Sequence, residues 1–224
     1  MKINSPALVL YFLASVFAVA GIVFGSEFLV LLAKPVIAPA IFFHYLQIKK
    51  ARVNWLFFIA VLSSFIADMI VVFQMPEGDI PIAFFNIVMY LIFSYFVIKD
   101  MEDERAIGRK VFYFILVFLG CFGVLAVVLN LMTGLDAQRF NLFVFYGAVL
   151  SFLSAIIGFN HINTHNIRTF YALIMGICFV VSDVFFAIYN FYLQMDIFIL
   201  LNVTAQFASY FYMVKYFTSQ PVSH

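Results

Sequence analysis

Three ionisable side chains stand inside long apolar runs of this chain: Lys34, Asp68 and Asp183. Each costs at least ~2.5–3.5 kcal/mol at the centre of a membrane helix, so such residues face a protein interior and often mark a site. At a helical rise of about 1.5 Å per residue, Lys34 and Asp68 lie about 10 Å below one face and Asp183 about 13 Å below the same face. Asn202 and Gln206 enter from that face as well, reaching about 9 and 15 Å. Five polar groups in one layer point to a common cavity. One cation does not compensate two carboxylates, so the pair is expected to divide, one ionised and one holding its proton. That division is what general acid–base chemistry requires. The competing reading is an ion pair that only locks helices together.

Other polar residues are weaker candidates. Pro35 and Pro39 follow Lys34 and free the carbonyls of Leu31 and Pro35, which predicts a kink and a backbone-lined wall beside the lysine. His161 and His165 are four apart in the segment FNHINTHN, read as a short polar loop without carboxylates, so no metal site is expected. His44 reads as interfacial. Ser182 precedes Asp183, yet no Gly-x-Ser-x-Gly elbow surrounds it, which argues against a serine hydrolase. Gly120, Gly123, Gly147 and Ala148 read as close helix-packing positions.

The elements that must position these groups follow from composition. Of 224 residues, 66% are hydrophobic and 10% charged, with 32 Phe and 12 Tyr. Soluble domains are about 45–50% apolar and about 25% charged. A membrane helix needs ~20 mostly apolar residues, and eight such runs are present: 6–25, 27–47, 54–75, 80–98, 111–134, 139–159, 169–192 and 196–217. The predicted fold is one all-α domain over 1–224, with eight transmembrane helices. The net charge of +1 gives no field for nucleic acid, and Cys121 and Cys178 lie inside apolar runs. No cofactor is implied. If all eight runs span, ten Lys and Arg fall on one side and only Arg139 on the other, which predicts both termini in the cytoplasm. The charged stretch 99–110 is expected at the membrane surface.

Runs four and eight share a skeleton. Asn86 and Tyr90 precede Ser94, Tyr95, Phe96 and Lys99, as Asn202 and Gln206 precede Ser209, Tyr210, Phe211 and Lys215; Asn to Lys is 13 positions in each, and both of those positions are offset by 116. Asp68 and Asp183 are offset by 115. Two halves of four spans, roughly 1–104 and 105–224, predict a parallel repeat about an axis along the membrane normal.

Together these residues resemble the YhhN family of lysoplasmalogenase-like membrane proteins. The resemblance rests on Lys34-Pro35 with Pro39, on Ser63-Ser64-Phe65-Ile66-Ala67-Asp68, on Phe179-Val180-Val181-Ser182-Asp183 and on Ala205-Gln206. The chain has Ala67 where members often carry Gly, and Asn86 near the place where many carry a histidine. The resemblance implies hydrolysis of the vinyl ether of a lysoplasmalogen-type lysophospholipid, releasing a fatty aldehyde and a glycerophospho-headgroup. It implies Asp68 and Asp183 as the catalytic pair, and Lys34, Asn86, Tyr90, Asn202 and Gln206 around the substrate, in a bacterial inner membrane among its lipids. Protonating a vinyl ether carbon and activating a water suits one carboxylic acid and one carboxylate, as in glycoside hydrolysis. Asp183 is expected to be the acid and Asp68, nearer Lys34, the base. Asn202 and Gln206 are expected to hold glycerol or phosphate oxygens. A proton-coupled or small-solute transporter, and a lipid-binding or sensing protein without turnover, remain as alternatives.

Overall fold

The structure, a computed structural model, describes residues 5–49, 53–101, 108–132 and 135–219, without the side chains of 108–110. The described residues form eight helices and no strand: α1 Pro6–Val23, α2 Glu27–Ile48, α3 Trp55–Val72, α4 Asp79–Lys99, α5 Gly108–Leu131, α6 Ala137–Thr164, α7 Ile167–Phe191 and α8 Asp196–Thr218. All eight are long and apolar enough to cross a membrane, as a multi-pass integral membrane protein requires. Side-chain caps start many of them: Ser5, Ser26, Asn54, Asp136 and Asn166 each accept a hydrogen bond from the first turn that follows. Large apolar side chains such as Phe24, Phe28, Trp55 and Val127 face outward, a surface suited to lipid and unfavourable in water.

The helix ends differ from the apolar runs in one instructive place. The segment FNHINTHN is not a loop: α6 continues to Thr164, and His165 closes it in the left-handed region at φ 43°. Thr164 donates to the Asn160 carbonyl and His161 bonds Thr169 at 3.0 Å, so polar side chains complete this last turn where hydropathy no longer reports it. The stretch 99–110 lies largely outside the described residues. Lys99 ends α4 and Asp100 caps it.

Six helices close a ring through successive contacts, α2–α3–α4–α6–α7–α8 and back to α2. Outside it, α1 packs on α2 and α8, while α5 packs on α6 and α7. Gly21 admits the tight α1–α2 approach, since a Cβ there would stand 2.9 Å from Val30 Cγ2, and Gly25 turns the chain at φ +64°. Gly147 does meet α5 at Leu125, but Gly120 and Gly123 face open space and are not packing positions. The α1–α2, α3–α4, α5–α6 and α7–α8 connections share one face, termed upper below.

Beneath the middle of the bundle lies an aromatic layer. Phe57, Phe93, Phe96, Phe179 and Phe217 from α3, α4, α7 and α8 are all buried. The ring of Phe217 lies tilted 4.3 Å from Phe57 and edge-on 4.8 Å from Phe96, and Phe93 lies 5.9 Å from both Phe179 and Phe217, ring centre to ring centre. On the lower face Asp100 accepts hydrogen bonds from Arg168 and Tyr216, with the guanidinium 5.0 Å over the Tyr216 ring. His44 is buried near the lower end of α2: its Nδ1 lies 3.0 Å from Ser5 Oγ, which joins α2 to the α1 cap.

Candidate functional site

A cavity of about 90 Å³, open on one side, occupies the upper half of the bundle. Lys34, Asp68, Asn86, Asp183, Asn202 and Gln206 all line it, so six of the seven residues singled out in the sequence meet there. Tyr90 lies behind that lining, fully buried, with its hydroxyl 2.6 Å from Asp183 Oδ2. The chain places these groups at one level because each of α2, α3, α7 and α8 puts its polar position within a few turns of its upper end.

The two carboxyl groups have different surroundings. Asp68 Oδ1 accepts from Gln206 Nε2 and Oδ2 from Tyr210, both at 2.6 Å, and Ser64 supports the Tyr210 hydroxyl at 2.6 Å. Both oxygens of Asp68 are thus used as acceptors. Asp183 accepts from Tyr90 and from Tyr146, both at Oδ2. Its Oδ1 has no hydrogen-bond partner among the described residues. Lys34 lies within electrostatic reach of Asp68.

Sequence reasoning did not single out Tyr146 or Tyr210 as site residues. Tyr210 sits in the tail shared by runs four and eight, one turn beyond Gln206, and that matched tail was the available signal. Tyr146 had none: it is one aromatic among many in α6. The hydrogen bonds of Asn202 narrow what it can offer a ligand. Its Nδ2 donates to both the carbonyl and the hydroxyl of Ser182 at 2.9 Å, which uses both amide hydrogens. What remains is an acceptor, able to receive a hydroxyl and unable to donate to phosphate oxygen. Gln206 keeps one amide hydrogen beyond its bond to Asp68. The prolines of α2 do not break it, for the helix runs unbroken from Glu27 to Ile48 through both.

One flank of the cavity is apolar. Leu125, Val128 and Leu129 of α5, and Met132 just beyond its end, line it together with Phe143 and Phe186. Towards the upper face, Val71, Asp79, Ile82, Phe186 and Phe191 also line a second hollow that reaches Gln74, Met75 and Asn190, so the two adjoin. At that mouth Arg139 lies 3.4 Å from Asp79, 3.6 Å from Glu77 and 3.8 Å from Asp136. Compared with known proteins, the chain matches no family model, no curated protein and no solved structure.

Proposed function

We propose that the protein is a membrane-embedded hydrolase of lysoplasmalogen-type lysolipids, as the likeness of its motifs to the lysoplasmalogenase-like family implies. The observation that carries this reading is a single cavity in which two carboxyl groups with unlike partners sit beside an apolar flank. An amphiphile with one chain fits that division, with its hydrocarbon against α5 and its glycerol among the polar groups.

The hydrogen bonds suggest which carboxyl does what. Asp68, with a donor on each oxygen and a cation nearby, is suited to remain a carboxylate. Asp183, with both donors on Oδ2, leaves Oδ1 to carry a proton. Asp183 gives that proton to the β-carbon of the vinyl ether, producing an oxocarbenium ion. Water adds to this ion and passes its proton to Asp68, giving a hemiacetal. Asp183 then takes the hemiacetal hydroxyl proton while Asp68 returns its own to the glycerol oxygen, and the carbon–oxygen bond breaks. Aldehyde and alcohol leave, and both aspartates are back in their starting states with no proton gained or lost.

The parallel repeat belongs to the same proposal. Asp68 is held by Gln206 and Asp183 by Tyr90; the aspartates are 115 positions apart and their partners 116. Each aspartate therefore receives its bond from the closing helix of the other half. The pairings α1–α2, α2–α3, α3–α4 and α8–α2 have counterparts in α5–α6, α6–α7, α7–α8 and α4–α6. The counterpart fails at α5, which leans on α7 where the copy of α1 would lean on α4.

Asp68→Asn and Asp183→Asn test the reaction. An amide neither delivers nor accepts the proton, so each variant should lose ~10²–10⁴-fold in aldehyde release from a vinyl-ether lysolipid. Asparagine is close in shape, so melting temperature in detergent should stay near wild type. Two folded variants with wild-type turnover overturn the catalytic pair.

A further inference from the structure

Lys34 lines the cavity with only 8% of its surface exposed. Among the described residues its ammonium makes no ion pair or hydrogen bond, although Asp68 acts on it through space. A buried ammonium carries three donors, and leaving them unmet is costly. Other donors around this cavity are mostly committed: Tyr90 and Tyr146 to Asp183, Tyr210 to Asp68, and Asn202 to Ser182. Among the described residues Lys34 is also the only Lys or Arg in the cavity lining.

We propose that Lys34 binds the anionic phosphate of the ligand, so that the cavity selects phosphorylated lysolipids over glyceryl ethers that lack a headgroup. This rests on the hydrolase reading and adds to it the group by which the substrate is chosen. Glycerol places three carbons between the ether oxygen and the phosphate oxygen, so the reacting bond and the anion occupy one cavity. The acceptor left on Asn202 then suits the free glycerol hydroxyl, and the anion goes to the lysine. Lysine serves here as a compact charge.

The test reads binding without turnover. Purified protein in detergent is titrated with a saturated 1-O-alkyl lysophospholipid, which has no bond to cleave, and with 1-O-alkylglycerol, which has no phosphate. Melting temperature reports occupancy. Wild type should bind the phosphorylated ether about ten- to hundred-fold more tightly than the glyceryl ether, the range expected of a charge-assisted hydrogen bond. Lys34→Gln should erase that preference while keeping its affinity for the glyceryl ether, and Lys34→Arg should keep most of it. Equal loss of both ligands in Lys34→Gln overturns the proposal, because the lysine then serves only the helices or Asp68. So does an unchanged preference. Inorganic phosphate that protects as well as the lysolipid, or a fatty acid that binds through Lys34 in preference to it, also overturns the lipid phosphate as the partner. Lys34-dependent binding in a protein that releases no aldehyde defeats the reaction and leaves this site standing. Turnover with Lys34-independent binding does the reverse.

Discussion

At Asp183 two phenols share one oxygen, and this arrangement predicts how the site responds to loss of either. Tyr146→Phe and Tyr90→Phe each remove one donor and leave the other in place. Each single variant should lower aldehyde release about tenfold, the scale of one buried hydrogen bond. The double variant should fall by more than the product of the singles, since only then is Oδ2 left with no donor. A double-mutant cycle on turnover checks this, and simple additivity would count against the shared role. The aspartates themselves were legible in the sequence because a charge inside an apolar run is an outlier that hydropathy cannot hide. Tyr146 was not legible. In a chain with 12 Tyr and 32 Phe, one more aromatic carries no contrast, and its hydroxyl acquires meaning only when α6 brings it to α7.

The elements show the same division between what a pattern carries and what contact adds. All eight helices follow from apolar length, with ends a few residues from those predicted. Apolar length reports the thickness of hydrocarbon and not where a helix stops, so α6 extends through FNHINTHN unannounced. The ring order was invisible too, because lipid-facing and buried sides are equally apolar. At the upper ends of α4 and α6, Arg139 draws together Glu77, Asp79 and Asp136, and Asp79 is the most buried of the three carboxylates. Arg139→Gln should therefore cost about 1–2 kcal/mol of stability, between the values for an exposed pair and a buried one. Thermal melting at low and high salt measures it. The wild-type protein should lose part of the difference as salt rises, through screening at the exposed Glu77 and Asp136.

For the whole molecule, the described basic residues Lys49, Lys99, Arg168 and Lys215 lie toward the lower face, and Arg139 lies at the upper. By the positive-inside tendency the lower face should be cytoplasmic. An even number of spans then places both termini there. Reporters fused at Lys2 and at His224 should both show cytoplasmic activity, and opposite signals would break the orientation. The proposed halves rest on matched spacing in runs four and eight. The departure of α5 from that pairing does not show in the spacing, because it depends on which neighbour α5 meets.

The layer of Phe57, Phe93, Phe96, Phe179 and Phe217 has an electrical consequence. A cavity lined by carboxylates and open toward the upper face would, once filled with water, bring that solution deep into the bilayer and concentrate the remaining potential drop across those rings. Carrying one elementary charge through such a drop is worth about 2.3 kcal/mol per 100 mV. With apolar rings packed from four helices, the layer works as an insulator. On the proposed reaction, protons exchanged at the aspartates would come from and return to one solution, and turnover would neither draw on nor discharge the membrane voltage.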